Sequence, residues 1–288
     1  MSLILPNLSR RTLLTGASAT LAFAALPGCT PPAAPVAAVA AKKIGIQLYT
    51  LRAAMEQDVA GTLGRVADIG YDEVEFAGYF NTPASEIKRL LGTLNLTAPS
   101  AHVQPADMRD KPQEVIDAAK EIGHEYLVFP WLPPEQRVTL DLWRATADFC
   151  NTFAQQCQTA GLKFAYHNHD FEFQPIDGVV PYNLLRERCD PALVKFELDL
   201  YWASKAGQDP NTVLASDPGR FPMCHVKDMD AAGEMADVGA GTIDFAAIFA
   251  ANTFEHYFVE HDATTDPFAS AETSFTALTA LLAAPQPA

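Results

Sequence analysis

Eight short β-rich runs, each followed by a stretch with helical periodicity, set the architecture open to this chain of 288 residues. The runs occupy 44–52, 73–79, 96–103, 126–132, 163–173, 195–202, 221–229 and 256–262. Between them apolar residues recur at spacings of three and four, as in 59–69, 112–122 and 140–160. Each intervening stretch is long enough for a right-handed crossover, so successive strands should run parallel. Ile69-Gly70-Tyr71 and Ala160-Gly161-Leu162 repeat one device, a glycine just past a helix end followed by entry into a strand. Eight such units predict an α/β fold, a closed (β/α)8 (TIM) barrel over residues 42–288. An open doubly wound sheet is the alternative, but no Gly-rich phosphate loop follows an early strand. With 49% hydrophobic residues the chain can bury the core of one such domain.

Residues 1–41 read as a targeting segment and tether outside that domain. Ser9-Arg10-Arg11-Thr12-Leu13-Leu14 runs into an apolar stretch over 17–26, which resembles a twin-arginine export signal. Leu26-Pro27-Gly28-Cys29 resembles a lipobox, in which Cys29 would be acylated; cleavage at an Ala-rich site up to Ala41 is the alternative. The Pro/Ala stretch 30–41 is then a semi-extended linker. These features predict a periplasmic protein that meets a membrane only through an N-terminal lipid. Cys150 and Cys157, seven apart on one helix, are about 10 Å from each other and cannot bridge. Buried free thiols are expected at 150, 157, 189 and 224.

Thirty-five acidic residues against twenty basic ones give a formal charge of −15, which repels phosphate backbones. Nucleic acid is excluded as a partner on that ground.

In a barrel of this kind the reactive groups sit at the C-terminal strand ends and on the loops that follow. The fifth run carries Tyr166-His167-Asn168-His169-Asp170-Phe171-Glu172-Phe173, and alternation places His167 and His169 on one side. Glu197 and Asp199 share a facing in the otherwise apolar sixth run. An ionised carboxylate there needs a cation or donors. His225 and Lys227 share a face of the seventh, and Glu260 closes the eighth. Four consecutive strands thus deliver ligand-type residues to one rim. His167, Asp199, His225 and Glu260 form the predicted ligand set for one divalent ion, with His169 competing for the fifth-strand position. Mixed imidazole and carboxylate donors suit Mn²⁺, Fe²⁺, Co²⁺ or Zn²⁺ better than Mg²⁺ or Ca²⁺.

These stretches, together with Ile44-Gly45-Ile46-Gln47-Leu48-Tyr49 and Gly239-Ala240-Gly241-Thr242-Ile243-Asp244-Phe245, resemble the xylose-isomerase-like barrel superfamily of sugar isomerases, epimerases and inosose dehydratases. The resemblance covers the chain past residue 41. In ketose epimerases of that superfamily Glu, Asp, His and Glu hold the metal, and the two Glu shuttle the proton. His167 replaces the first Glu here, which resembles the subgroup bearing YHNHDFEF; some relatives cleave 3-keto-glycosides by elimination. The shared chemistry is proton removal next to a carbonyl with metal stabilisation of the enediolate. On that view the proton-transfer candidates are His169, whose free imidazole has the better-matched pKa, and Glu260. Lys227 would hold the developing oxyanion, or else pair with Glu197 or Asp228. Glu172 would bond sugar hydroxyls, Glu75 and His102 would line the substrate pocket, and Trp131 and Trp202 would stack on a sugar face or cover the barrel end.

Three further readings compete. A lyase acting on 3-keto-glycosides or keto-inositols would use the same site. A three-metal nuclease of the same barrel lacks support, because Trp202 stands where a ligating histidine would be needed and the charge is negative. A non-catalytic exported sugar-binding lipoprotein would need neither metal nor base. Export and the lack of a basic cluster favour free sugars or glycosides over sugar phosphates.

Overall fold

The computed structural model describes residues 42–283. The expected signal, tether and Cys29 lie outside the described residues. Eight parallel strands close a barrel in sequence order: β1 (Gly45–Gln47), β2 (Glu73–Ala77), β3 (Thr97–His102), β4 (Tyr126–Phe129), β5 (Lys163–His167), β6 (Val194–Asp199), β7 (Met223–Val226) and β8 (His256–Val259). β8 returns to β1 with Phe258 opposite Gly45, so the sheet has no open edge and the doubly wound alternative falls away.

Local chemistry explains the crossover helices. Val59–Ile69 starts where the Asp58 carboxylate accepts the Gly61 N–H at 2.9 Å, and stops at Gly70, which adopts φ 117°. A side chain at Gly70 would meet the Phe275 ring at 2.9 Å as well as an unfavourable backbone. Leu140–Thr159 is capped by Thr139 and covers the outside of the barrel with Trp143, Cys150 and Phe153. The cysteines at 150, 157, 189 and 224 are free and buried.

Alternation divides the strand residues into two cores. Leu127, Phe129, Phe164, Phe196 and Leu198 pack outward against the helices, whereas Tyr126, Val128, Ala165, Met223 and Phe258 form a separate plug within the sheet. Gly45 leaves room for the Phe258 ring, which lies 2.4 Å from where a Cβ would sit. Towards the C-terminal strand ends the buried residues become polar, and this layer carries Gln47, Glu75, Ser100, His167, Glu197 and His225.

Several strands end sooner than their residue types suggest. β1 stops at Gln47, whose side chain accepts the Tyr49 N–H at 3.0 Å and starts a tight helical turn. β5 stops at His167, and Phe171–Phe173 forms another such turn. The seventh run breaks at Lys227, after which Asp228–Met229 pairs antiparallel with Met235–Ala236.

Candidate functional site

The layer of buried polar side chains opens upward into a cavity of about 500 Å³, with Tyr49, His102, Trp131 and His169 on its walls and Lys227 and Glu260 towards its base. One donor atom from each of His167, Asp199, His225 and Glu260 lies within 4.8 Å of the others, and all four side chains are buried. A second group, His102, His167, Glu197 and His225, satisfies the same distance and shares both central imidazoles with the first. The third such group, Glu125, Glu255 and His256, is at the opposite end of the barrel. There Lys163 Nζ, 3.2 Å from Glu255 and 3.5 Å from Glu125, already supplies positive charge.

Charge is unevenly balanced in the upper cluster. Glu75, Glu197, Asp199 and Glu260 are buried, and Asp262 is partly buried. Lys227 is the fixed cation among them: its Nζ lies 3.1 Å from Asp199 Oδ2, 2.7 Å from Glu260 Oε2 and 3.0 Å from Asp262 Oδ2. These are not the Glu197 and Asp228 partners that chain proximity suggests. Burial opposes its charge, but the carboxylates outweigh that and hold the ammonium well above its ordinary value of 10.5. Burial likewise pushes the Glu260 carboxyl up, yet Lys227 and His225 hold it well below the usual range. His225 is held well above 6.5 against its own burial by Glu197 and Glu260. Asp262, at the pocket wall, is pushed up to about 7 by burial and by Glu260.

Each expected residue has a definite place. His169 lies in the loop after β5, so strand alternation does not govern it, but its ring still meets that of His167 at 5.1 Å on the cavity wall. Burial, together with His167 and Lys227, pushes its imidazole well below 6.5, which leaves it neutral but weakly basic. That removes the matched-pKa argument for ranking it above Glu260. Glu75 lies beneath the cavity rather than on its wall: its Oε2 takes Gln47 Nε2 at 2.7 Å and faces His225 Nε2 at 2.8 Å. Ser100 bonds the other oxygen. Glu172 is also spent inside the protein, accepting from Tyr166 Oη at 2.9 Å and from the His169 backbone N–H at 2.8 Å. It holds the YHNHDFEF loop instead of reaching a sugar. Trp202 packs beside His169 at 5.3 Å, and its backbone N–H donates to Asp199 Oδ1 at 2.8 Å. Trp131, 39% exposed, is the indole that faces the cavity.

Two features exceed what the residue pattern suggested. Glu197 Oε2 is a hub, 2.8 Å from His102 Nε2 and 3.2 Å from both His167 Nδ1 and His225 Nε2. The Gly239–Phe245 stretch wraps the Asp228 carboxylate, which accepts backbone N–H groups from Met229, Gly239, Gly241 and Ile243. That nest anchors the loop directly after Lys227. A Cβ on Gly241 would lie 2.2 Å from Asp228 Oδ1 and 2.6 Å from the Met229 carbonyl oxygen. Gly241→Ala is therefore expected to cost about 1–3 kcal/mol, read as a lowered Tm, whereas Gly64→Ala, with open space around it, should not lower Tm.

The family model of the xylose isomerase-like TIM barrel matches residues 63–255. The chain belongs to this family. A sugar phosphate isomerase/epimerase from Parabacteroides distasonis is 28% identical with a TM-score of 0.72, over 86% of this chain and 96% of that one. Two more distant structures share the fold. One is an IOLI protein with a bound zinc atom, 14% identical with a TM-score of 0.66 over 83% of this chain and 98% of that one. The other is an L-ribulose 3-epimerase, 16% identical with a TM-score of 0.62 over 84% and 94%. No curated protein sequence matches the chain.

Within this xylose isomerase-like barrel the donor set fits a divalent ion. Two nitrogens and two oxygens converge from four successive strand ends, and Asp199 Oδ2 is wholly buried without a well-directed hydrogen bond although Lys227 is close. A buried carboxylate oxygen left in that state is costly unless a cation takes it. The nitrogen-containing set suits the later first-row metals and zinc.

Proposed function

We propose that the protein is a divalent-metal-dependent sugar isomerase or epimerase that removes a proton next to a carbonyl of a free sugar or sugar derivative. The observation that carries this reading is the convergence of His167, Asp199, His225 and Glu260 at the base of an open cavity. Bound among these side chains, a divalent ion would supply Lewis-acid stabilisation of charge developing on a carbonyl oxygen. His169, Glu260 and Asp262 line the cavity and are the groups able to take or return the proton. Lys227 provides positive charge beside them, and Trp131 offers an aromatic face to the apolar side of a sugar ring.

Phosphorylated substrates fit less well than neutral ones. Among the described residues Lys227 is the one lysine or arginine lining the main cavity, and it is committed to three carboxylates. The proposal also includes export by the twin-arginine route with a lipid at Cys29, on the strength of Arg10-Arg11 and the Leu26–Cys29 motif.

A second reading, elimination from a 3-keto-glycoside, draws on one further observation. A hollow of about 330 Å³ adjoins the main cavity and shares Ala77, His102 and Gln104 with it, leaving room for a substituent beyond one ring. In that reaction the proton leaves the carbon next to the carbonyl, the C–O bond to the substituent breaks with its electron pair, and a C=C bond forms.

Incubation with keto-sugars and 3-keto-glycosides in D2O, followed by NMR, tests both. Deuterium at a retained carbon is expected for isomerisation or epimerisation, and an unsaturated product for elimination. Tight sugar binding that is indifferent to chelator, with no exchange on any substrate, would instead indicate a binding protein.

A further inference from the structure

An imidazole has two ring nitrogens, and the fold turns those of His225 and His167 to opposite sides. His225 Nδ1 faces the rim, 2.8 Å from Glu260 Oε2 and 3.8 Å from Asp199 Oδ2. Its Nε2 faces the floor, 2.8 Å from Glu75 Oε2 and 3.2 Å from Glu197 Oε2. His167 is turned the same way but more loosely held: Nε2 is 3.9 Å from Asp199 Oδ2, and Nδ1 is 3.2 Å from Glu197 Oε2 without a well-directed hydrogen bond.

We infer that Glu75 and Glu197 are positioning residues that keep the ring proton of His225 on Nε2 and that of His167 on Nδ1. The lone pairs of His225 Nδ1 and His167 Nε2 are thereby aimed at the space beside Asp199 and Glu260. This rests on the metal-centre reading of the site.

A metal-bound imidazole carries one N–H and gives its one lone pair to the ion, so the nitrogen turned away from the ligand oxygens is the one that keeps its proton. What distinguishes floor from rim is where the proposed ligand oxygens lie: Asp199 and Glu260 are both on the Nδ1 side of His225, so a cation among them takes that lone pair and leaves the ring proton on Nε2. Glu75 is tied by two neutral donors, Gln47 Nε2 at 2.7 Å and Ser100 Oγ, and neither it nor Glu197 reaches the cavity wall. Glu197 is held by His102 Nε2 at 2.8 Å and lies on β6 two residues before Asp199. Glu260, with Lys227 Nζ 2.7 Å away, lines the cavity, and Asp199 Oδ2 lacks a well-directed donor. One buried carboxylate on β6 therefore orients imidazoles from two other strands, while its neighbour on the same strand face supplies a ligand oxygen. The arrangement is that of a carboxylate–histidine–metal triad, duplicated around a shared floor.

The test uses full-length protein labelled with ¹⁵N in histidine. In the ¹¹³Cd²⁺-loaded wild type, coupling to cadmium is expected on His225 Nδ1 and His167 Nε2. Coupling on His225 Nε2 would overturn the inference. Glu75→Gln and Glu197→Gln, measured by chelator competition, should each weaken Co²⁺ or Cd²⁺ binding by about 10–100-fold at a retained fold. Long-range ¹H–¹⁵N spectra of the metal-free variants should show the histidine protons redistributed. Folded variants with wild-type affinity and wild-type ring-proton positions would also overturn it. Should a variant not fold, the wild-type cadmium pattern decides. Should the wild type take up no divalent ion, the metal-centre reading fails on its own. The ring protons of the metal-free wild type, read at a pH high enough for His225 to carry a single one, then decide the present inference: that proton on Nε2 supports it, and on Nδ1 refutes it.

Discussion

Asp199→Ala and His225→Ala are each expected to abolish retention of the divalent ion, which the wild-type chain should hold at about one per molecule. Both side chains are fully buried at adjacent strand ends, and Asp199 and His225 pair directly in register between β6 and β7. The neighbouring group of His102, His167, Glu197 and His225 survives Asp199→Ala, but it shares His225 with the proposed set, and its one carboxylate oxygen within reach, Glu197 Oε2, is already surrounded by three imidazoles. Removing a residue that merely orients a ligand costs about 10–100-fold in metal affinity, so removing the ligand itself should exceed that. Turnover should fall by about 10³-fold or more, since losing even one group that stabilises a developing oxyanion costs about 10²–10³. Elemental analysis after identical purification gives the direct reading. Zero metal in wild type and variants alike would remove the site's chemistry and leave only its architecture. A conservative comparison sharpens the result: Asp199→Asn keeps an oxygen able to accept the Trp202 N–H but lacks the charge, so loss of metal at a preserved Tm isolates the charge from the cap.

The barrel was readable because buried parallel strands are short apolar runs separated by helices of constant periodicity, and all eight runs contain a strand. Their ends were not, for a physical reason. In the fifth run the apolar and aromatic residues continue through Phe173, but the chain leaves the sheet at His167 because Glu172 captures both Tyr166 Oη and the His169 N–H. Composition alone cannot show that bond. The rim residues stood out because polar side chains on a buried strand violate its pattern, and the structure brings His167, Asp199, His225 and Glu260 within reach of one another. What stayed hidden were the partners. Glu197 was visible as a carboxylate sharing Asp199's facing, yet its contacts come from β3, β5 and β7. Asp228 finds three of its four amides on a loop that begins eleven residues later, where the glycines of Gly239-Ala240-Gly241 are the one local trace of the nest. Asp262, two residues past Glu260, could have been found by extending the alternation that links His225 to Lys227.

Lys227→Met should be the most destabilising single change at the rim that leaves the proposed metal ligands in place. The methionine approximates the stem's volume and deletes the ammonium, leaving Asp199, Glu260 and Asp262 facing one another without their shared cation. Breaking a buried ion pair from one side costs about 3–5 kcal/mol, which for a domain of this size is a fall in Tm of roughly 10 °C. The pH dependence follows from the same contacts. Lys227 is held above its ordinary 10.5, so its contribution is complete below the unfolded value and is lost as pH rises through the folded one. The wild-type advantage over the variant should therefore shrink in strongly alkaline solution, and also in acid as Asp262 and then Glu260 take up protons. The decisive comparison adds Mn²⁺ to both proteins at neutral pH. A ligand present at about 100 times its Kd raises stability by about 2.7 kcal/mol. The ion and the ammonium neutralise the same oxygens, and the variant has no ammonium to offset the ion's attraction, so its Tm should rise more than that of the wild type. Equal rises would show that the ion and Lys227 do not share Asp199 and Glu260, and an unchanged Tm in the variant without metal would show that the three carboxylates do not need the lysine.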